Sequence, residues 1–141
     1  MAEAKMIELH PTVRYLIICE DVKTDPARPR HIALNGLLST IRSVDIPAFP
    51  LLYEEFCAFV QLAECRGPAP CRIEVLDDET QEVIFRTQER IAPLPKDPLE
   101  IAGINFRIRN RLFSRGGLYW VQFWYNGKMI AEHPLMVEAQ R

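Results

Sequence analysis

The chain has 141 residues, of which 48% are hydrophobic and 26% charged, the values of an ordinary globular protein long enough to build one domain around its own core. A formal net charge of −2 gives no electrostatic basis for nucleic acid or an anionic membrane as principal partner. Residues 1–10 lack the basic and apolar regions of a secretory signal, and no apolar run approaches the ~20 residues of a membrane helix, so a cytoplasmic location is expected.

Residues 12–19 (TVRYLIIC) are rich in β-branched and aromatic side chains and predict a first strand. Residues 20–30 are polar and carry Pro26 and Pro29, which predicts a loop. Residues 31–44 read as a second extended segment, one long strand or two short ones, with Asn35-Gly36 marking a bulge or tight bend. The segment Ile46-Pro47-Ala48-Phe49-Pro50 then breaks regular pairing, as a crossing between sheets would.

Residues 55–64 hold two periodicities. Phe56, Ala58, Val60 and Leu62 alternate as in a strand, while Tyr53, Phe56, Cys57 and Val60 fit a helical face. The turn residues Gly67-Pro68-Ala69-Pro70 and the strand that follows at once favour the strand. Residues 71–76 alternate apolar with polar, Asp77-Asp78-Glu79-Thr80 supplies a turn, and residues 81–87 return with Val83 and Phe85 apolar. Three prolines make residues 88–100 a connecting loop. Ile104, Phe106, Ile108 and Asn110 then mark one face of a strand, with Asn105, Arg107, Arg109 and Arg111 on the other.

The densest signal comes last. Residues 118–130 contain both tryptophans, and Asn126-Gly127 between β-prone runs predicts a two-residue type I′ hairpin, which needs positive φ at both central positions. That turn pairs Tyr125 with Lys128, Trp124 with Met129, Phe123 with Ile130, Gln122 with Ala131, Val121 with Glu132 and Trp120 with His133. Tyr119, Val121, Phe123 and Ile130 form the better core set. Leu118, Trp120, Trp124 and Met129 face the other way, and so much apolar surface predicts cover on both sides. Leu135 and Val137 have the opposite parity to Ile130, which predicts a β-bulge near Glu132-His133-Pro134.

No nucleophile elbow, phosphate-binding loop, dinucleotide fingerprint, zinc-protease or EF-hand pattern is present, so no catalytic residue and no cofactor is expected. Cys19, Cys57, Cys65 and Cys71 show no CxxC spacing and are read as reduced thiols, most of them small core hydrophobes, in place of a metal site. Asp77-Asp78-Glu79 could offer oxygen ligands to calcium, but turns favour Asp for backbone reasons. His10, His31 and His133 are scattered and carry no pattern. Arg107, Arg109 and Arg111 at period two form a candidate anion-binding row, set against the reading of a solvated face paired with acidic residues. Trp120, Trp124 and Met129 form a candidate protein interface, set against cover by the N-terminal segment or by residues 88–100.

An early strand ending in Cys19-Glu20-Asp21, the following Asn35-Gly36, and a late Gly117-x-Tyr119 with Asn126-Gly127 and Pro134-Leu135-x-Val137 form a pattern. It resembles a family of small bacterial proteins of unknown function that form a single immunoglobulin-like β-sandwich. The resemblance spans most of the chain and implies that fold, a bacterial cytosolic setting and no catalytic residues. In such domains the Gly-x-Tyr tyrosine braces a corner.

The expected fold is therefore an all-β immunoglobulin-like sandwich of about seven to eight antiparallel strands in one domain. The expected function is non-enzymatic: an interaction module that self-associates or docks a protein partner through the outer face of the 118–130 hairpin. The alternative is a sandwich that binds an anion or carbohydrate. Solution mass separates the two, a stable dimer favouring the first and a monomer with a ligand-shifted melting temperature the second, and a structure of what covers Trp120 and Trp124 is the most informative single observation.

Overall fold

The computed structural model describes residues 10–65, 67–92 and 101–140. Among these residues run ten strands: β1 (Thr12–Asp25), β2 (Arg28–Leu37), β3 (Thr40–Ser43), β4 (Leu51–Ala63), β5 (Pro70–Asp77), β6 (Val83–Arg86), β7 (Arg90–Ile91), β8 (Ala102–Phe113), β9 (Gly117–Tyr125) and β10 (Lys128–Ala139). They form two sheets, one of order β2-β1-β4-β8 and one of order β3-β10-β9-β5-β6, with β7 also pairing β5. The run β10-β9-β5 facing β1-β4-β8 is the G-F-C sheet against the A-B-E sheet of an immunoglobulin sandwich. The sandwich is as expected, but it has more strands than seven to eight and is not wholly antiparallel: β3 pairs β10 in parallel.

Alternation explains the core between the sheets. Phe56, Ala58, Val60 and Leu62 of β4 and Ile104, Phe106 and Ile108 of β8 point inward from one sheet. Ile73 and Val75 of β5, and Tyr119, Val121 and Phe123 of β9, point inward from the other. Phe113 stands edge-on to Tyr119 at 5.1 Å between centroids, and Phe106 meets Phe123 at 6.1 Å. The Tyr119 hydroxyl donates to the Arg115 carbonyl at 2.7 Å, four residues upstream, which is the corner brace that the Gly-x-Tyr pattern implied. Burial pushes the Tyr119 phenol up, and the nearby Asp77 carboxylate adds to it.

Residues 51–63 are a strand throughout, so the helical alternative falls away. The segment read as a loop over 20–30 is a correction. β1 runs on to Asp25, and Pro26-Ala27 is the whole turn into β2. Polarity there reflects a hairpin with one wet face, and a proline in a turn does not end the strand before it. The extended segment over 31–44 resolves into β2 and β3 in different sheets, and residues 44–50 carry the chain back across the sandwich as expected.

The β1–β2 hairpin does more than extend a sheet. β1 pairs β4 only as far as Cys19↔Cys57, and from Cys19 onward it pairs β2. In hydrogen-bond order β2 lies three strands from β8, roughly 14 Å away in a flat sheet. Yet Ile32 Cδ1 of β2 lies 3.7 Å from the place a Cβ on Gly103 of β8 would occupy. The hairpin therefore folds back over the outer face of β4 and β8. Phe59 lies beneath it at 6% exposure and Cys57 at 0%. The Phe59 ring crosses Gly103 so closely that a Cβ there would meet Cζ at 2.9 Å.

All four cysteines are buried and free. Cys65 and Cys71 belong to the sandwich core. Cys19 and Cys57, registered partners, lie under the hairpin. Burial, and then the neighbouring Cys57, push the Cys19 thiol up to about 11, which makes it a poor nucleophile.

Candidate interaction surface

The β9–β10 turn forms as predicted, with Asn126 at φ 49° and Gly127 at φ 79°. The first two pairs, Tyr125↔Lys128 and Trp124↔Met129, also match. From there the register corrects the expectation. The bulge lies between Met129 and Ala131, at Ile130 and not near Pro134, so Phe123 faces Ala131, Gln122 faces Glu132, Val121 faces His133 and Trp120 faces Pro134. As the extra residue of the bulge, Ile130 is half-buried and not a full core member. The early slip brings Leu135 and Val137 inward at 0% exposure. Pro134 lies ahead of the residues through which β10 meets β3, where its missing N–H interrupts no second ladder.

The corrected register gives the outer face of this sheet a simple pattern. One cross-strand row reads Arg72–Trp124–Met129, the next Arg86–Glu74–Gln122–Glu132, and the third Val83–Leu76–Trp120–Pro134. Two rows that carry the large apolar side chains, one of them ending in Arg72, thus flank a polar one.

Each indole is tied down. Trp120 Nε1 donates to Asp78 Oδ1 at 2.8 Å, and Trp124 Nε1 donates to Gln122 Oε1 at 3.2 Å. The Arg72 guanidinium stacks on the Trp124 ring at 4.9 Å and holds Glu74 by a 2.5 Å hydrogen bond. Glu74 is 3% exposed, and Arg86 reaches it at 3.9 Å. Gln122 completes the row by donating to Glu132 at 3.3 Å.

Trp120 and Trp124 remain half-buried and Met129 is 39% exposed. Cover over this face was expected from the N-terminal segment or from residues 88–100; among the described residues Arg72, Asp78, Gln122 and Glu132 contact the indoles and the polar row, and Glu89 of the 88–100 segment bonds Arg72 at 3.3 Å. Residues 1–9 and 93–100 lie outside the described residues.

The arginine row divides. Arg107 pairs Asp21 at 3.1 Å and Glu55 at 3.5 Å, and Arg109 pairs Glu55 at 2.7 Å. The Arg109 hydrogen bond, with Arg107 behind it, holds the Glu55 carboxyl below its usual range. Asn110 is a correction: its φ is 53° and it is exposed, so it does not continue the buried face of Ile108. The change of parity there turns Arg111 away from its neighbours, and its guanidinium stacks on Phe85 at 4.9 Å. The row therefore presents two guanidiniums engaged by carboxylates and a third on an aromatic ring.

The acidic turn is organised from within. Asp77 accepts from Arg115 through both carboxylate oxygens and from the Glu79 backbone N–H at 2.9 Å, and Arg115 also bonds Glu79. Burial pushes the Asp77 carboxyl up, but Arg115 and the turn N–H groups outweigh it and hold it below its ordinary value. Among the described residues no cluster of three or more His, Cys, Asp or Glu side chains could hold a metal ion.

Sequence reasoning missed Arg72, Glu74 and Glu132 as parts of this face. The alternation Arg72-Ile73-Glu74 marked the first two as outward, but only the long-range pairing of β5 with β9 sets them beside the tryptophans, and only the bulge at Ile130 brings Glu132 opposite Gln122.

Fold and face together define an immunoglobulin-like β-sandwich whose G-F-C sheet carries a patterned outer surface. The profile of the family of unknown function DUF6941 matches residues 14–138, and the chain belongs to that family. No curated protein matches it.

Proposed function

We propose that the protein is a non-enzymatic interaction module and that the outer face of β9 and β10, centred on Trp120, Trp124 and Met129, docks a protein partner. The observation that carries this reading is the pair of apolar rows held open on either side of a bonded polar row. Tryptophan, methionine and arginine are the residue types concentrated at the centres of protein interfaces, where a few anchors supply most of the binding energy. Hydrogen bonds at both indole nitrogens fix the rings before any partner arrives, which lowers the side-chain entropy lost on docking.

Light-scattering mass, measured for the unmodified chain and two variants, tests the proposal. Trp124→Ala weakens association at least tenfold and leaves the monomer folded, whereas Val121→Ala, in the core at 0% exposure, lowers the melting temperature far more than the association. A strictly monomeric chain with both tryptophans already blue-shifted in emission overturns the reading.

A further inference from the structure

The register of the outer face also indicates which partner it fits. We propose a second copy of the chain, docked face to face about a two-fold axis that lies parallel to β5 and β9 and passes between them. This rests on the reading of the β9–β10 face as the docking surface.

An axis in the plane of the interface and parallel to the strands reverses each cross-strand row upon itself. In the polar row Arg86 then lies over the partner's Glu132, and Glu74 over the partner's Gln122. The apolar row behaves the same way: Leu76 meets the partner's Trp120, and Val83 meets the partner's Pro134. Arg72 meets the partner's Trp124, a second cation–π contact beside the one within the chain. No carboxylate faces a carboxylate.

An axis running across the strands through the polar row gives the opposite result. It sets the exposed Arg86 on the partner's Arg86 and the exposed Glu132 on the partner's Glu132, and like charges across an interface are strongly disfavoured. The charge order of one row thus selects one of the two simple two-fold arrangements.

The exposures fit the same arrangement. The Arg86 side chain is 62% exposed and Glu132 is exposed, so each reaches solvent beyond its contact within the chain, Glu74 at 3.9 Å and Gln122 at 3.3 Å, while the half-buried tryptophans flank the middle of the row. Arg86 and Glu132 are separated by three strand spacings, roughly 14 Å. The two symmetric ion pairs would therefore sit at opposite ends of the polar row, with one row of large apolar side chains on each side of it. A patch of this width predicts a concentration-dependent dimer and not an obligate one.

A charge swap read by sedimentation equilibrium tests the arrangement. Arg86→Glu and Glu132→Arg should each raise the dimer dissociation constant about tenfold or more, and the double variant should return it to within about threefold of the unmodified value. Arg86→Gln, which removes charge without reversing it, should give an intermediate effect, and melting curves confirm that each variant is folded. If Trp124→Ala weakens the dimer while the double variant gives no rescue, this arrangement is overturned and the docking face stands. If the unmodified chain stays monomeric at every concentration, the second copy is overturned as partner. If a dimer forms but Trp124→Ala leaves it intact, the docking face itself fails.

Discussion

β4 and β9 are interior strands of their respective sheets, and each sends one row of side chains into the shared core. They finish their other faces by opposite means. β4 buries Cys57 and Phe59 under the folded-back β1–β2 hairpin, so Phe56 to Val60 are buried without a break. β9 leaves Trp120 and Trp124 half-buried and surrounds them with side-chain hydrogen bonds, a stacked arginine and a buried carboxylate. Covering apolar surface with backbone removes it from water permanently. Dressing it with side chains fixes its shape and leaves it available. One strand is closed over by backbone, and the other carries the face proposed above for docking.

The difference is sharpest under Phe59. Phe59→Ala should cost about 3–5 kcal/mol in chemical denaturation, as for a core phenylalanine, although its ring faces away from the sandwich interior. A loss under about 1 kcal/mol would mean that the hairpin does not hold the ring, and the contrast between the strands would disappear. Gly103→Ala probes the same contact from the other side. Its Cβ would meet the Phe59 ring at 2.9 Å, so overpacking should cost about 1–3 kcal/mol, and an unchanged melting curve would contradict the close approach.

On the core side of β9, Tyr119→Phe keeps the ring and removes only the hydrogen bond to the Arg115 carbonyl. It should cost about 1 kcal/mol. The smallest effect is acid sensitivity. The Glu55 carboxyl, bonded to Arg109 and near Arg107, has a folded value below its unfolded 4.5. It therefore favours the folded chain above about pH 4.5 and loses that contribution as pH falls through the lower folded value. Asp77, held low by Arg115 and its turn, acts in the same direction at a lower pH. Melting temperature should stay flat from pH 7 to 5 and then fall, and a rise on acidification would contradict the pairing.

What the sequence disclosed follows the range of each interaction. Asn126-Gly127, the alternation of residues 71–76 and the strand over 55–64 are local, and the structure has all three. The bulge was legible as a change of parity, but one extra residue produces the same parity change anywhere between Met129 and Leu135. Only the observed ladder places it at Ile130. The folded-back hairpin was hidden because polar residues around Pro26 serve equally for a loop and for a hairpin with one wet face. The parallel β3–β10 pair joins residues nearly a hundred apart and leaves no local trace. The Trp120, Trp124 and Met129 set was legible as an outward apolar group. Its polar row was not, because Glu74 and Glu132 reach Gln122 from separate strands. Arg111 looked like the third member of a row because period two gives no sign of the positive φ at Asn110.

The chain's only two tryptophans both lie on the proposed docking face. Iodide quenching of tryptophan emission, followed from nanomolar to high micromolar protein, therefore reads that face alone. If the face docks a second copy, quenching falls and emission shifts blue over the same concentrations at which the mass rises. Constant quenching while the mass rises, or no change in either, would contradict the account.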